Sequence, residues 1–388
     1  MIRGCADALG ANTRGVIGSF PGTERVDLRA FERKESAVLR NSMFAVYALL
    51  QAAALASPAA DTSPLPPPVY TVSRSFPLAG SGGWDYLALE EGGARLFVSR
   101  GDRVDVIDTG SGKPAGIIAN TAGVHGIALA PALKRGFTSN GRGNSVSVFE
   151  LDTLRLLRQV PISGKNPQAI LFEPRHNYVI TANGGSSDLS VLDAATLQSV
   201  ATIPLPGPPQ FMATDAAGMV YVNVESEPAK LVAVDTKSLT VKAAWPLAEC
   251  SNPAGLALDA THHRLFSVCA NQVMAVTDSL SGRQAARVVI GRGPESVVFD
   301  ADLGLVFSSN GLDGTLTVIH EDTPDEYTVL ATVTTQVSAR TMALDPGGHK
   351  LYLTAAKLGA TPPATDEQPH PRPSIVPDTS TILVAQPR

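Results

Sequence analysis

Six polar residues stand at nearly equal intervals along this chain: Asp85, His125, Gln168, Gln210, Glu295 and Arg340, with Ala254 filling the one apolar place in the series. Consecutive members lie 40, 43, 42, 44, 41 and 45 residues apart. Gathered on one face, they would bring together two carboxylates, an imidazole, a guanidinium and two amides. His125 could act as a general base near neutral pH. With Asp85 and Glu295 it could ligate a divalent cation, since imidazole and carboxylate suit several metals. Arg340 could grip an anion through two parallel hydrogen bonds, or pair with Glu295. At the level of sequence these alternatives stay open.

What must position these residues is a repeat. Each stands two places before a short apolar segment: Leu87–Leu89, Ile127–Leu129, Ile170–Phe172, Met212–Thr214, Leu256–Leu258, Val297–Phe299 and Met342–Leu344. A second β-branched or aromatic run follows about eight residues later, as in Leu96-Phe-Val-Ser99, Tyr178-Val-Ile-Thr-Ala-Asn183 and Leu351-Tyr-Leu-Thr354. A third usually ends in Asp, as in Leu189-Ser-Val-Leu-Asp193, and a more polar fourth closes the unit. These runs are too short for helices and are punctuated by Gly, Asn, Asp and Pro. Four strands repeated seven times at a period of about forty predict an all-β, seven-bladed β-propeller, each blade buried on both faces by its neighbours. The seventh unit lacks a fourth strand after Ile382-Leu-Val-Ala385. Val69 to Phe76 supplies one from the other end of the propeller segment, residues 69–388, which would close the ring and remove a sheet edge.

The column of six then rings one mouth of the central channel, the default place for a binding site. Second strands end on the same face with Asn140, Asn183, Asn223 and Asn310. Three of these precede glycine, so a turn role competes with ligand binding. Blade order sets Asp85, His125 and Glu295 partly across the ring from one another, which weighs against a shared small ion. The longest insertion, Gly359 to Ser380, carries Asp366, Glu367, His370 and Arg372 among prolines and is expected to form a partly ordered flap beside the mouth. Cys250 and Cys269 flank the first two strands of blade 5 at the same face, and a disulfide between them is expected in an oxidising compartment.

Composition narrows the field. The 388 residues carry a formal charge of −5, with 17% charged residues and no basic clusters interleaved with aromatics, which argues against a nucleic-acid surface. Residues 1–42 are polar and irregular, an over-extended or disordered leader. The uncharged run Met43 to Ala56 has the length of an export signal rather than a membrane span, so 43–60 is expected to be cleaved and 61–68 to be a stiff Pro-rich linker. No transmembrane span is expected in the mature protein, which should be periplasmic or secreted and monomeric. Nucleophile elbows, phosphate loops, haem attachment sites and zinc-spaced Cys or His motifs are missing from the sequence.

The strand Tyr178-Val-Ile-Thr-Ala-Asn183, with Asn252-Pro-Ala-Gly-Leu-Ala-Leu-Asp259, His263-Arg-Leu-Phe266, Ser309-Asn-Gly311, Val318-Ile-His-Glu-Asp322, Ala339-Arg-Thr-Met-Ala-Leu-Asp345 and His370-Pro-Arg-Pro373, resembles the YncE-like, YVTN-repeat propellers of bacterial envelopes. The likeness covers about residues 70–388. It implies envelope location and a binding role, with a small molecule, a metal or an envelope protein as the partner. The alternative is a propeller lactonase or lyase, with His125 as base and Glu295 and Arg340 positioning a carboxylate substrate.

Overall fold

The computed structural model describes residues 68–80, 82–363 and 373–388. The expected leader, export signal and nearly all of the linker lie outside the described residues, as do Asp366, Glu367, His370 and Arg372. Among the described residues, 28 strands form seven four-stranded antiparallel sheets, with one short 3-10 turn at Pro131–Leu133.

Six sheets use four consecutive strands each. The seventh joins Thr341–Asp345, Lys350–Ala355 and Thr381–Pro387 to the N-terminal strand Tyr70–Pro77, which forms its outer edge. Tyr70 pairs with Pro387 and Phe76 with Ile382, so hydrogen bonds between the two ends of the propeller fasten the ring. The missing strand is therefore where the repeat count demands it.

Seven hydrophobic cores hold the blades together, one at each junction. Between blades 1 and 2, Phe97, Val104 and Val106 meet Ile127 and Phe149. Between blades 7 and 1, Phe76, Ile382 and Val384 meet Leu96, Val98 and Ile107, which closes the circle. Because both faces of each blade are covered, the second strands cannot alternate apolar with polar. Leu265 to Cys269 are all buried in succession, and so are Val179 to Asn183. Each large apolar side chain removed from water contributes roughly 1.5–3 kcal/mol, and this is repeated at every junction.

The Asp that ends so many third strands is a turn device. Asp193 accepts hydrogen bonds from the backbone N–H groups of Ala195 (3.0 Å) and Thr196 (2.6 Å), and Asp235 does the same with Lys237 and Ser238. The Thr196 N–H in particular holds the Asp193 carboxyl below the usual carboxylate range.

Candidate functional site

The inner strands are Leu87–Leu89, Val124–Ala130, Pro167–Glu173, Pro209–Thr214, Pro253–Asp259, Pro294–Asp300 and Thr341–Asp345. In blades 2 to 6 the pairing with the second strand slips at the start, at Val124/Ile127, Pro167/Ala169, Pro209/Met212, Pro253/Leu256 and Pro294/Ser296. His125, Gln168, Gln210, Ala254 and Glu295 fall inside these bulges, which re-aim a side chain out of the pleat. In four of the five blades the residue before is proline, which tolerates a strand's first position because its missing N–H costs no ladder bond there.

Blades 6, 7, 1 and 2 are consecutive around the ring, and their column residues join into one charged arc. Arg340 of blade 7 donates through Nη1 to Glu295 Oε1 of blade 6, and through Nη2 to the Trp84 carbonyl (2.8 Å) at the start of blade 1. Its guanidinium lies 5.8 Å from the Trp84 ring centre. Thr341 donates to the Asp85 carbonyl (2.7 Å), and Asp85 Oδ2 lies 2.6 Å from His125 Nδ1 of blade 2. Burial pulls the Arg340 pKa down, but the charges of Glu295 and Asp85 outweigh it and raise the value, so the cation is secure. Two polar atoms of this arc, Asp85 Oδ1 and Trp84 Nε1, are buried without a hydrogen-bond partner among the described residues. Asp85 and His125 are thus brought together. Glu295 is turned to Arg340, which stands on the blade between, so the two carboxylates and the imidazole do not converge on one point.

Blades 3, 4 and 5 carry neutral residues at the same positions. Gln168 lies over Gly184 of its own blade, where an added Cβ would stand 2.8 Å from the amide nitrogen. Gln210 hydrogen-bonds Glu225 of its own blade; burial raises the Glu225 pKa and that bond offsets part of the rise. Ala254 has no polar side chain, and Cys250 and Cys269 form a disulfide beside it, with Cα atoms 5.4 Å apart.

One residue further along the strands the channel is crossed. Tyr86 of blade 1 and Phe211 of blade 4 bring their rings to 4.8 Å between centres, although their blades are not neighbours. Tyr86 also lies near Arg340. Other blades have Gly126, Ala169, Gly255, Ser296 or Thr341 here. At Gly126 and Gly255 a Cβ would stand 2.9 Å from Ile170 N and 2.8 Å from Glu295 O of the next blade, which explains the small residues. Spacing alone did not single out Trp84, Tyr86, Phe211 or Glu225. Two bulky aromatics in a column of small residues were the available signal.

The asparagines belong to the framework. Asn140, Asn183 and Asn310 are fully buried. Each accepts from a hydroxyl two residues earlier (Thr138, Thr181, Ser308) and donates twice to the third strand: to Ser145 and Ser147, to Asp188 and Ser190, and to Thr315 and Thr317. Asn223 instead donates across to the Ala254 and Gly255 carbonyls of blade 5 at 3.1 and 3.0 Å. The base of the blade 7 insertion is a short ribbon, with Leu358 bridged to Ile375 and Gly359 N–H donating to the Ser374 carbonyl (2.8 Å). At the opposite end of the channel, Leu89, Glu90, Gly93, Leu129, Leu344 and Asp345 line a depression of about 660 Å³. It is built from turns and strand ends and lies away from the charged arc. The convergent chemistry, rather than the concave space, marks the candidate site.

A scan of protein-family models finds no match to this chain, and no curated protein matches it. Among solved structures the chain is similar to Kuenenia stuttgartiensis hydrazine synthase, with a TM-score of 0.64 and 16% identity, covering 71% of this chain and 94% of that one. At that identity the likeness carries the fold alone: this chain is a seven-bladed β-propeller, a scaffold that commonly serves as a binding module.

Proposed function

We propose that this protein is an exported, YncE-like binding module of the bacterial envelope, whose channel mouth receives a polar small ligand or a polar group of a partner protein. The observation that carries the proposal is the state of the charged arc. Arg340 and Glu295, and His125 and Asp85, already face one another, yet Asp85 Oδ1 and Trp84 Nε1 have no partner among the described residues. A buried polar group left unpaired costs about 1–3 kcal/mol, and such groups in native proteins call for an explanation. A ligand offering a donor to Asp85 and an acceptor to Trp84 would recover that cost. The Tyr86–Phe211 pair across the channel favours a group seated on the mouth over one that passes through.

A second reading is enzymatic, with His125 as general base, and one observation favours it. The 2.6 Å contact from Asp85 to Nδ1 leaves Nε2 as the imidazole's working atom, the arrangement by which a carboxylate orients a catalytic histidine. Unchanged turnover by His125→Ala on any substrate found would remove His125 as the base.

Site-directed photo-crosslinking in the exporting cell tests the binding proposal. A photoreactive residue at Lys165, exposed beside the mouth, should capture a ligand or partner, and capture should fall when His125→Ala and Arg340→Met are combined. The same residue at Ser281, exposed at the opposite face, should capture nothing comparable. Equal capture from both faces, or capture at Lys165 indifferent to the two substitutions, would refute it.

A further inference from the structure

A second cluster of titratable groups lies at the other face of the ring, at the seam of blades 5 and 6. Asp259 ends the inner strand of blade 5, His262 follows in the turn, and Glu321 lies in the long third strand of blade 6, Thr315–Thr323. A ligand atom from each falls within 4.8 Å of the others. His262 Nδ1 is 2.6 Å from Asp259 Oδ2 and 3.6 Å from Glu321 Oε1. The Glu321 carboxyl is within hydrogen-bonding reach of Asp259, and its side chain is only 4% exposed. Its Oε1 accepts from the Tyr327 hydroxyl (3.2 Å), whereas its buried Oε2 receives no donor among the described residues.

The same construction recurs two blades earlier, with Glu173 in place of Asp259 and Thr236 in place of Glu321. Glu173 ends the inner strand of blade 3, His176 follows in the turn, and blade 4 contributes Thr236 at the place of Glu321. There the hydroxyl completes the network: it lies 2.8 Å from His176 Nδ1 and 2.8 Å from the Gly218 carbonyl, to which it donates. Replacing that hydroxyl by a carboxyl group sets a second carboxyl against Asp259, with one imidazole beside both. A turn-capping role asks for a threonine at this place; a cation asks for a carboxylate.

We propose that Asp259, His262 and Glu321 form a three-ligand site for a divalent transition-metal ion, with zinc the best chemical fit. One imidazole and two carboxylates match the ligand preferences of zinc, and three protein ligands leave a position for water or a substrate. His262 is 49% exposed, which provides both the entry path and room for adjustment. Ligand atoms at about 2.1 Å from a tetrahedral ion stand about 3.4 Å apart. The distance from His262 to Glu321 is already close to that, and the contact from His262 to Asp259 has to open by about 0.8 Å. Tyr327 and the turn N–H groups of Thr261 and His262, which bond Asp259 Oδ1, hold the two carboxylates from behind.

The test is equilibrium dialysis of the chelator-stripped full chain against Zn²⁺, with Co²⁺ as a visible-absorption probe. The wild type should take up one equivalent with Glu321-dependent cobalt bands in the visible. Glu321→Thr, which copies the blade 4 arrangement and should keep the fold, and His262→Ala should each weaken uptake at least tenfold. No stoichiometric uptake by the wild type, or uptake by Glu321→Thr and His262→Ala equal to wild type, would overturn the site. Because His262 is half-exposed, its variant serves even if Glu321→Thr folds poorly.

Discussion

The two halves of the channel mouth use one backbone position in opposite ways. In blades 6, 7, 1 and 2 the column side chains reach sideways: Glu295 to Arg340, Arg340 to Trp84, and Asp85 to His125, each across a blade boundary. In blades 3 and 4 they turn inward, Gln168 over Gly184 and Gln210 to Glu225, each within its own blade. Blade 5 has only Ala254 at this place, and its mouth is braced by the Cys250–Cys269 disulfide and by Asn223 reaching over from blade 4. A repeat fixes where a side chain emerges but leaves its partner free. A charged residue there couples neighbouring blades, whereas an amide does not. The arc that couples four blades also holds Asp85 Oδ1 and Trp84 Nε1, the buried atoms on which the proposed binding rests.

The largest test of this contrast lies in the neutral half. Removing the disulfide by Cys250→Ser with Cys269→Ser should cost about 3 kcal/mol in urea unfolding, from the loop it closes in the unfolded chain. The mouth of blades 6, 7, 1 and 2 should remain intact, judged by unchanged crosslinking at Lys165. Next, Arg340→Met should cost about 2 kcal/mol, because it strands Glu295 and the Trp84 carbonyl, whereas Gln168→Met should stay within about 0.5 kcal/mol of wild type. Equal costs for the two would erase the distinction between the halves. Asn183→Ala should cost about 1–2 kcal/mol by leaving Asp188, Ser190 and Thr181 unpaired, with no change in ligand capture. Altered capture would return the asparagines to the mouth.

The smallest effect concerns pH. Burial raises the Glu225 pKa above its unfolded value, so the folded state holds a proton that the unfolded state releases. The associated stability is present below the ordinary glutamate pKa and is lost as pH rises through the folded value. Glu225→Gln should therefore flatten the decline in stability seen as pH rises from about 4.5. Identical pH profiles for the two proteins would show that Gln210 fully offsets the burial.

Much of this architecture is legible in the residues themselves. Triplets such as Ile170–Phe172 and Val297–Phe299 recur because every inner strand must fill the same space. The strand Tyr70–Pro77 is accounted for because a ring of four-stranded blades has no other way to complete the last one. Proline ahead of Gln168, Gln210 and Glu295 marks the bulges that aim those side chains. The Tyr86–Phe211 contact was not legible, since it joins residues on blades that are not neighbours and depends on the channel's width. The pairing of Glu321 with His262 was hidden for another reason. It emerges only when Glu321 is aligned with Thr236, and the long hairpin Thr315–Thr334 obscures that register. Asn140, Asn183 and Asn310 sit at the predicted strand ends, but whether an amide faces the channel or the third strand is decided by hydroxyls such as Ser147 and Ser190, which the repeat does not advertise.

The most direct test of the binding account is a crystal structure of the chain purified from its native cell under conditions that keep bound groups in place. A bound group should lie on the mouth within hydrogen-bonding distance of Asp85 Oδ1 or Trp84 Nε1, with Tyr86 and Phe211 still meeting across the channel. A bare mouth with the bound group elsewhere, or an aromatic pair swung apart around a ligand threaded through the channel, would contradict it.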